Sequence, residues 1–203
     1  MDGDPLHVRH IQKENISWRH DLTAICAFVS KKNINQILTD HRFTGDIGIL
    51  SIDIDGNDYW IWEGINVVQP SIVIVEYNSY FGAKRAVSIP YDPAFYRMTA
   101  HYSGLYWGCS LKALVLLAER KGYAFIGCNS SGNNAYFVQS DKLGTLKRTT
   151  AAKGFVESKF RESRDRKGKL TFLSGKDRLA AIKDMPVVDV ETNTIIPIRE
   201  IIQ

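Results

Sequence analysis

Two short apolar runs, rich in β-branched residues, stand out in the hydrophobic pattern of the chain. ILSIDIDGND begins at Ile49, and SIVIVEYNS begins at Ser71. Each run is continuously apolar rather than alternating and ends in acidic and amide side chains, which is typical of strands buried on both faces of a parallel sheet. A helix-length segment at 59–68 separates them. The pattern therefore predicts neighbouring parallel strands at residues 47–55 and 71–78.

The rest of the pattern predicts an α/β protein. Residues 110–121 have apolar positions at helical spacing and end before Gly122, a favourable C-terminal cap. The polar turn NSSGNN joins two apolar stretches and predicts an antiparallel hairpin at 123–128 and 135–139. Residues 79–107 are irregular, and so long a loop is usually functional or mobile. The other predicted elements are strands at 24–30, 187–190 and 195–198, and helices at 32–39, 150–165 and 176–183.

Acidic and amide side chains lie at the carboxyl ends of both predicted parallel strands. Asp53 and Asp55 lie at the end of the first, and Glu76 and Asn78 at the end of the second. Ligands of open α/β sheets bind beside the carboxyl ends of the strands, so these residues form a candidate site. Their oxygen atoms suit a hard cation such as Mg²⁺. The same side chains can instead cap turns by accepting hydrogen bonds from backbone amides, and the sequence leaves both interpretations open.

The length of 203 residues fits one domain, or one domain with an appendage. No apolar stretch approaches the roughly 18 residues of a membrane span, and the first twenty residues lack the apolar core of a signal peptide. The three cysteines, Cys26, Cys109 and Cys128, have no metal-binding spacing. We expect them to be reduced core residues of a cytoplasmic protein.

The charge is distributed unevenly along the chain. Residues 142–203 hold 14 Lys and Arg against 8 Asp and Glu, and residues 142–169 alone hold 10 against 3. We therefore predict a folded domain at 1–141 and a basic C-terminal extension at 142–203, with 142–169 helical or mobile rather than part of the sheet. Basic segments are usually solvated, although they also favour anionic substrates or partners. Neither a nucleic-acid partner nor a membrane is expected.

Two segments resemble the FkbM-like family of class I S-adenosylmethionine-dependent methyltransferases. LSIDIDGNDYWIWEGI, from Leu50, is similar to the family's fourth strand, acidic pair and aromatic-rich helix, and GCSLKALVLLAERKGYAFIGCNSSGNNAYFV, from Gly108, is similar to its last helix and hairpin. The resemblance covers roughly residues 1–140. It implies a Rossmann-like methyltransferase sheet, mostly parallel, with a C-terminal antiparallel hairpin. The family's first strand and glycine-rich cofactor loop have no counterpart in the 203 residues, so the expected sheet is N-terminally incomplete.

The resemblance implies methyl transfer from S-adenosylmethionine to an oxygen or nitrogen atom of a small molecule or glycan. Asp2, in the opening MDGDP, matches the acid that binds the ribose hydroxyls of the cofactor. His101 is the candidate base, and Mg²⁺ is a second cofactor that the acidic cluster could hold. The implied residues are Asp53, Asp55 and His101 for catalysis, Asp2 and Asp53 for the cofactor, Glu76, Asn78 and Trp107 for the acceptor, and Asp53, Asp55, Glu76 and Asn78 for the metal.

Two other functions stay open at the level of sequence. The chain can be a binding or assembly module that keeps the fold without catalysis, completed by a second copy or an N-terminal segment, because a missing strand leaves its neighbours unpaired. Residues 53–56, DIDG, also resemble the first motif of haloacid-dehalogenase phosphatases, with Asp53 as nucleophile and Asp55 as general acid. Asn57 stands where that family has threonine.

Overall fold

The computed structural model describes residues 1–201 and is an α/β structure with two sheets. Its helices are α1 (Pro5–Lys13), α2 (Ile16–Arg19), α3 (Ile34–Asp40), α4 (Asp58–Gly64), α5 (Arg97–Ala100), α6 (Leu111–Arg120), α7 (Ala151–Gly154) and α8 (Lys176–Ala181). Its strands are β1 (Gly45–Ile52), β2 (Val68–Glu76), β3 (Val87–Ser88), β4 (Tyr123–Cys128), β5 (Asn134–Gln139), β6 (Pro186–Asp189) and β7 (Thr194–Pro197). Across residues 1–201, no helix combines the length and the apolar character needed to cross a membrane.

The larger sheet has the strand order β1-β2-β5-β4. β1 and β2 are parallel neighbours, with Ile52 opposite Val75, which confirms the prediction from the two apolar runs. β4 and β5 form the predicted antiparallel hairpin, and β5 also pairs with β2 in antiparallel orientation. Because one of these three pairs is parallel and two are antiparallel, the described sheet is mixed, and the mostly parallel sheet expected from the resemblance is not what these residues form.

The strand predicted at 24–30 is wrong. This stretch makes only an isolated parallel bridge, between Cys26 and Asp2. Cys26 is exposed, as is Phe28, so neither belongs to the core that the apolar pattern suggested. A strand needs a neighbour along its length to satisfy its backbone groups, and the short segment around Asp2 supplies one only at a single position.

The main core lies between one face of the larger sheet and helices α4 and α6. Trp62 of α4 packs against Phe137 of β5, with ring centroids 4.9 Å apart. Helix α6 begins where the Ser110 hydroxyl accepts a hydrogen bond from the Ala113 backbone N–H, and it ends before Gly122, whose φ of +85° suits glycine. Helix α4 contacts both β1 and β2, and α6 contacts α4 and β4.

The second sheet, β3-β6-β7, joins the irregular segment 79–107 to the C-terminal part of the chain. β6 and β7 form an antiparallel pair close to the predicted positions, and β6 pairs with β3. A separate apolar cluster, including Val87, Leu105 and Ile182, lies beneath it. The irregular segment is therefore held in place by residues that follow it by about a hundred positions.

The helix predicted at 150–165 is present only as the short α7, which ends at the extended Phe155, and residues 156–163 have no regular secondary structure. The Tyr77 hydroxyl donates to the Val156 carbonyl at 2.6 Å, and the Ser158 N–H donates to the Ser79 hydroxyl at 3.0 Å. This irregular stretch reaches these partners at the end of β2. Residues 156–162, called the cover segment below, thus lie across the predicted site.

Candidate functional site

The two parallel strands end side by side and bring two carboxyl groups together. Ile52 lies opposite Val75, so extending the register by one residue places Asp53 beside Glu76. The carboxyl groups are close enough for a hydrogen bond between them. Of the four residues predicted at the two strand ends, the structure therefore brings Asp53 and Glu76 together.

Asp58 shapes the loop that carries Asp53 and Asp55. Its two carboxylate oxygens accept hydrogen bonds from the backbone N–H groups of Ile54 and Gly56, each at 3.0 Å. A side chain at Gly56 would overlap the ring of Phe95, so glycine is required for this close packing. Burial raises the pKa of Asp58 to about 7 despite these hydrogen bonds. Asp58 therefore acts as a buried turn cap rather than a residue that meets a ligand.

Glu76 is the most strongly perturbed carboxyl group of the site. It is 8% exposed, and its Oε2 atom is buried without a hydrogen-bond partner. Burial, followed by the negative charges of Asp58, Asp53 and Asp55, raises the pKa of Glu76 to about 9, although Arg97 opposes the shift. Glu76 is therefore protonated at neutral pH and can both donate and accept a hydrogen bond.

Asp53, unlike Glu76, is exposed to solvent. Burial and the nearby charge of Asp55 still raise the pKa of Asp53, while the hydrogen bond to Glu76 opposes the shift. Two neighbouring carboxyl groups cannot both ionise without repulsion, so the proton is held mainly by the more buried Glu76. Asp53 is left as the carboxylate of the pair.

Trp107 is placed beside this pair by Asn78. The Asn78 side-chain amide donates to the carbonyl oxygens of Leu105 and Trp107, at 3.2 and 2.9 Å, and its Oδ1 accepts from the Tyr80 N–H at 3.0 Å. Trp107 is 6% exposed, and its indole Nε1 has no hydrogen-bond partner. The Asn78 side chain thus holds the backbone around Trp107 in place, whereas the indole N–H of Trp107 is left without an acceptor.

Arg97 links the acidic loop to Trp107. Its guanidinium lies over the Trp107 ring at 4.8 Å, donates through Nε to the Gly104 carbonyl at 2.6 Å, and donates through Nη1 to Asp55 at 3.2 Å. Asp55 has a φ of +57°, which is uncommon for a residue other than glycine. Arg97 stabilises this conformation and supplies a positive charge that acts on both Asp55 and Glu76.

Glu76, Asn78, Arg97 and Trp107 border a cavity of about 190 Å³, small beside typical ligand pockets of roughly 300–1,000 Å³. Asp53, Asp55 and Asp58 are not part of its lining. The cover segment closes one side of the cavity. Arg178 of α8 is buried and holds this segment by donating to the Ser158 carbonyl at 3.1 Å and to Glu157 at 2.6 Å, while stacking over Tyr80 at 4.3 Å. The cavity lining includes Glu76, Asn78, Arg97, Trp107, Ser158 and Phe160.

Two of the predicted residues lie elsewhere. His101 does not line the cavity; its Nδ1 lies 2.8 Å from the Ser103 hydroxyl, and burial and the charge of Arg166 lower its pKa. Asp2 accepts from the Asp4 N–H at 2.7 Å and pairs with His7 at 3.1 Å, and the first of these contacts is the main reason its pKa is lowered. The structure does not join either residue to Asp53 and Glu76.

The predicted metal set is not assembled. Within the part of the chain that the structure describes, no three His, Cys, Asp or Glu side chains are grouped so that they could hold a metal ion. Asp55 pairs with Arg97, and Asn78 caps the turn after β2. Turn capping, the alternative left open by the sequence, is therefore what the structure shows for Asn78.

Sequence patterns missed Arg97, Arg178 and the cover segment. Arg97 lies in an irregular stretch, and no periodicity indicated that it would approach Asp55. Glu157 and Ser158 follow β2 by about eighty residues, so only the three-dimensional fold brings them to the site. The run of carboxylates was the one local signal that a cation such as Arg97 would lie nearby, because a buried cluster of like charges requires a neighbouring cation or hydrogen-bond donor.

The chain matches no protein-family model, no curated protein and no solved structure.

Proposed function

We propose that this protein takes part in S-adenosylmethionine-dependent methyl transfer to an oxygen or nitrogen atom of a small molecule or glycan, and that the cavity beside Glu76 receives the acceptor. The observation that carries this proposal is the presence of two unpaired buried polar atoms, Glu76 Oε2 and Trp107 Nε1, at a cavity beside the ends of two parallel strands. Buried polar groups without partners are rare unless a ligand or water satisfies them.

The strand arrangement gives further support. After the parallel pair β1–β2, the chain forms helix α6 and the antiparallel hairpin β4–β5. This order agrees with the C-terminal part of a Rossmann-like methyltransferase sheet. The free edge of β1 is where such a sheet would continue, and its residues are largely exposed. A second copy or an N-terminal segment would pair with that edge.

The chain's own residues can orient and activate an acceptor. The proton of Glu76 is donated to Asp53, so an acceptor hydroxyl or amine would donate to the unpaired Glu76 Oε2 and accept from the Trp107 N–H. Asp53, the ionised member of the pair, lies beside Glu76 rather than in the cavity lining. The proton that leaves the acceptor would pass to Glu76 as Glu76 passes its own proton to Asp53. The raised pKa of Asp53 brings it nearer to neutral pH, where a carboxylate is a better general base. The cover segment limits the access of water.

The fit to the methyl donor is incomplete. S-adenosylmethionine would supply the electrophilic methyl group, but the 203 residues contain no glycine-rich loop for its methionine end. Both oxygens of Asp2 have partners within the N-terminal segment. The residues described here therefore fit the acceptor better than the donor, and donor binding by this chain is expected to be weak.

The proposal is tested by transfer of a tritiated methyl group from S-adenosylmethionine, at about millimolar concentration to offset weak binding, to a panel of small alcohols, amines and glycans. Asp53→Asn should lower the rate by roughly 10²- to 10⁴-fold, because it removes the general base. Asp46→Asn, at the opposite end of β1, is the matched control and should keep the rate. Absence of transfer by the unaltered chain to any acceptor would contradict the proposal.

A binding module without catalysis is the second candidate, favoured by the poor fit to the donor. Calorimetry separates the two functions. If panel compounds bind but S-adenosylmethionine does not, the non-catalytic function is supported. Binding of S-adenosylmethionine in the micromolar range would exclude it.

A further inference from the structure

A patch of exposed apolar side chains borders the mouth of the cavity. We define the rim patch as residues 159–172 together with Tyr96, Met98 and Tyr102. Large apolar side chains that are scattered singly over a surface need no explanation, but a group of them marks a site of interaction. Six such side chains in the patch are at least 37% exposed, namely Tyr96, Met98, Tyr102, Phe160, Leu170 and Phe172.

The two parts of the rim patch are in contact. The Arg164 N–H donates to the Ser103 carbonyl at 3.1 Å, and the Arg166 guanidinium lies 4.8 Å from the centre of the Tyr102 ring. Phe160 lines the same cavity as Arg97, the neighbour of Met98 in α5. An isolated antiparallel bridge between Arg164 and Leu170 brings the two ends of the segment 164–170 together. The exposed side chains therefore belong to one region of the surface.

The patch is also strongly basic. Residues 159–169 contain six Lys and Arg against two Asp and Glu, a net charge of +4 that equals the net charge of the whole chain. The Oδ1 atom of Asp165 already accepts hydrogen bonds from the backbone N–H groups of Lys167 and Lys169. Within residues 1–201, the exposed cations Lys159, Arg161, Lys167 and Lys169 form no ion pair with Asp or Glu.

Two anionic partners fit a surface that is both basic and apolar: single-stranded nucleic acid and an anionic membrane surface. Nucleic acid requires aromatic rings with free faces on which bases can stack. Tyr102 has Arg166 at 4.8 Å and the ring of His101 at 4.3 Å, so part of its ring is occupied. The exposed rings of Tyr96, Phe160 and Phe172 have no such neighbour among residues 1–201. Met98 and Leu170, however, have no ring and offer nothing for a base to stack on. Aliphatic and aromatic side chains beside lysine and arginine are instead the composition of surfaces that dock on anionic lipids.

Although no membrane partner is expected from the sequence alone, we propose that the rim patch binds the surface of an anionic phospholipid membrane. Phe160, Leu170 and Phe172 enter the headgroup region, and the neighbouring cations contact the negatively charged lipid groups. Docking in this orientation turns the mouth of the cavity towards the lipid surface. This interaction does not depend on the proposed methyl transfer, since it uses residues outside the carboxyl cluster.

The test is flotation of the purified chain with vesicles of phosphatidylcholine alone or with about 30% phosphatidylserine. We expect the chain to float only with the anionic vesicles, and salt at about 0.5 M should release it. Lys167→Glu/Lys169→Glu should weaken binding roughly tenfold or more, because two attractive charges become repulsive. Phe160→Ser/Phe172→Ser should also weaken binding, with less effect on its salt dependence.

Matched controls carry the same changes elsewhere on the surface. Lys13→Glu/Lys32→Glu reverses two exposed charges outside the patch, and Ile195→Ser removes an exposed apolar side chain of β7. Both variants should float like the unaltered chain. The proposal is overturned if anionic vesicles fail to bind, if phosphatidylcholine alone binds equally well, or if the controls lose as much binding as the patch variants. It is also overturned if single-stranded RNA binds the patch more tightly than the vesicles and displaces them.

Discussion

Glu76 and Trp107 are two of six side chains in residues 1–201 that have a buried polar atom without a hydrogen-bond partner, and they are the two that line the cavity. Each is more than nine-tenths buried, and each has a polar atom without a hydrogen-bond partner. A buried unsatisfied polar group commonly costs about 1–3 kcal/mol. Two of them at one cavity, next to a carboxylate and an arginine, indicate a surface arranged for a ligand rather than for maximal stability.

The pKa of Glu76 predicts how stability depends on pH. Folding raises it from the usual 4.5 to about 9. Between these values the unfolded chain releases the proton and the folded chain retains it, so stability falls as pH rises through this window and is level above it. Glu76→Gln removes this loss and should stabilise the protein at about pH 8 by on the order of 2 kcal/mol, measured by urea unfolding.

Two further measurements complete this prediction. At about pH 4, where the carboxyl group is protonated in both states, Glu76→Gln should have little effect. Glu119→Gln, an exposed residue near the end of α6, serves as the matched control and should leave the pH profile unchanged. A Glu76→Gln variant that is less stable than the unaltered chain at about pH 8 would show that Glu76 is ionised in the folded protein.

At the scale of elements, the site depends on a segment that belongs to no long helix or strand. The cover segment is held by the Ser79 hydroxyl, the Tyr77 hydroxyl and the guanidinium of Arg178. Gly132, in the β4–β5 turn, leaves no room for a side chain, because a Cβ there would lie 2.6 Å from the Glu157 carbonyl carbon. One wall of the cavity is therefore fixed by contacts from the residues that follow β2, from the hairpin turn and from α8.

Arg178→Met tests this arrangement. It removes the hydrogen bond to Ser158 and the ion pair with Glu157, so the cover segment should open more often. Amide hydrogen exchange at residues 156–162 should become about tenfold faster or more, since a lost hydrogen bond to a charged group is worth about 1.5–3 kcal/mol.

Arg199→Met is the matched control for Arg178→Met. Arg199 pairs with Asp184 at the same distance of 2.6 Å, but both side chains are more than 60% exposed. Exposed ion pairs contribute little, so exchange in the cover segment should not change. Equal exchange in both variants and in the unaltered chain would show that Arg178 does not hold the segment.

For the molecule as a whole, sequence patterns predicted the parts whose contacts are local or strongly periodic. The apolar runs located β1 and β2, and the helical spacing before Gly122 located α6. The meeting of Asp53 and Glu76 followed because parallel strands end at the same edge of a sheet. The sequence could not indicate that residues 24–30 would lack a neighbouring strand, or that β6 would pair with β3 a hundred residues earlier, because both depend on long-range pairing.

We expect the cavity beside Glu76 to bind the acceptor, and the indole N–H of Trp107 reports directly on that binding. In a chain with ¹⁵N-labelled tryptophan, its resonance is assigned by Trp107→Phe. Two other tryptophans serve as internal controls. Trp18 is exposed, and the indole N–H of Trp60 donates to the Ile89 carbonyl. During titration with small alcohols, amines and glycans, we predict that at least one compound shifts the Trp107 resonance in a saturable way and leaves the Trp18 and Trp60 resonances in place. A Trp107 resonance that stays unmoved by every compound, including those that the chain binds by calorimetry, would contradict this expectation.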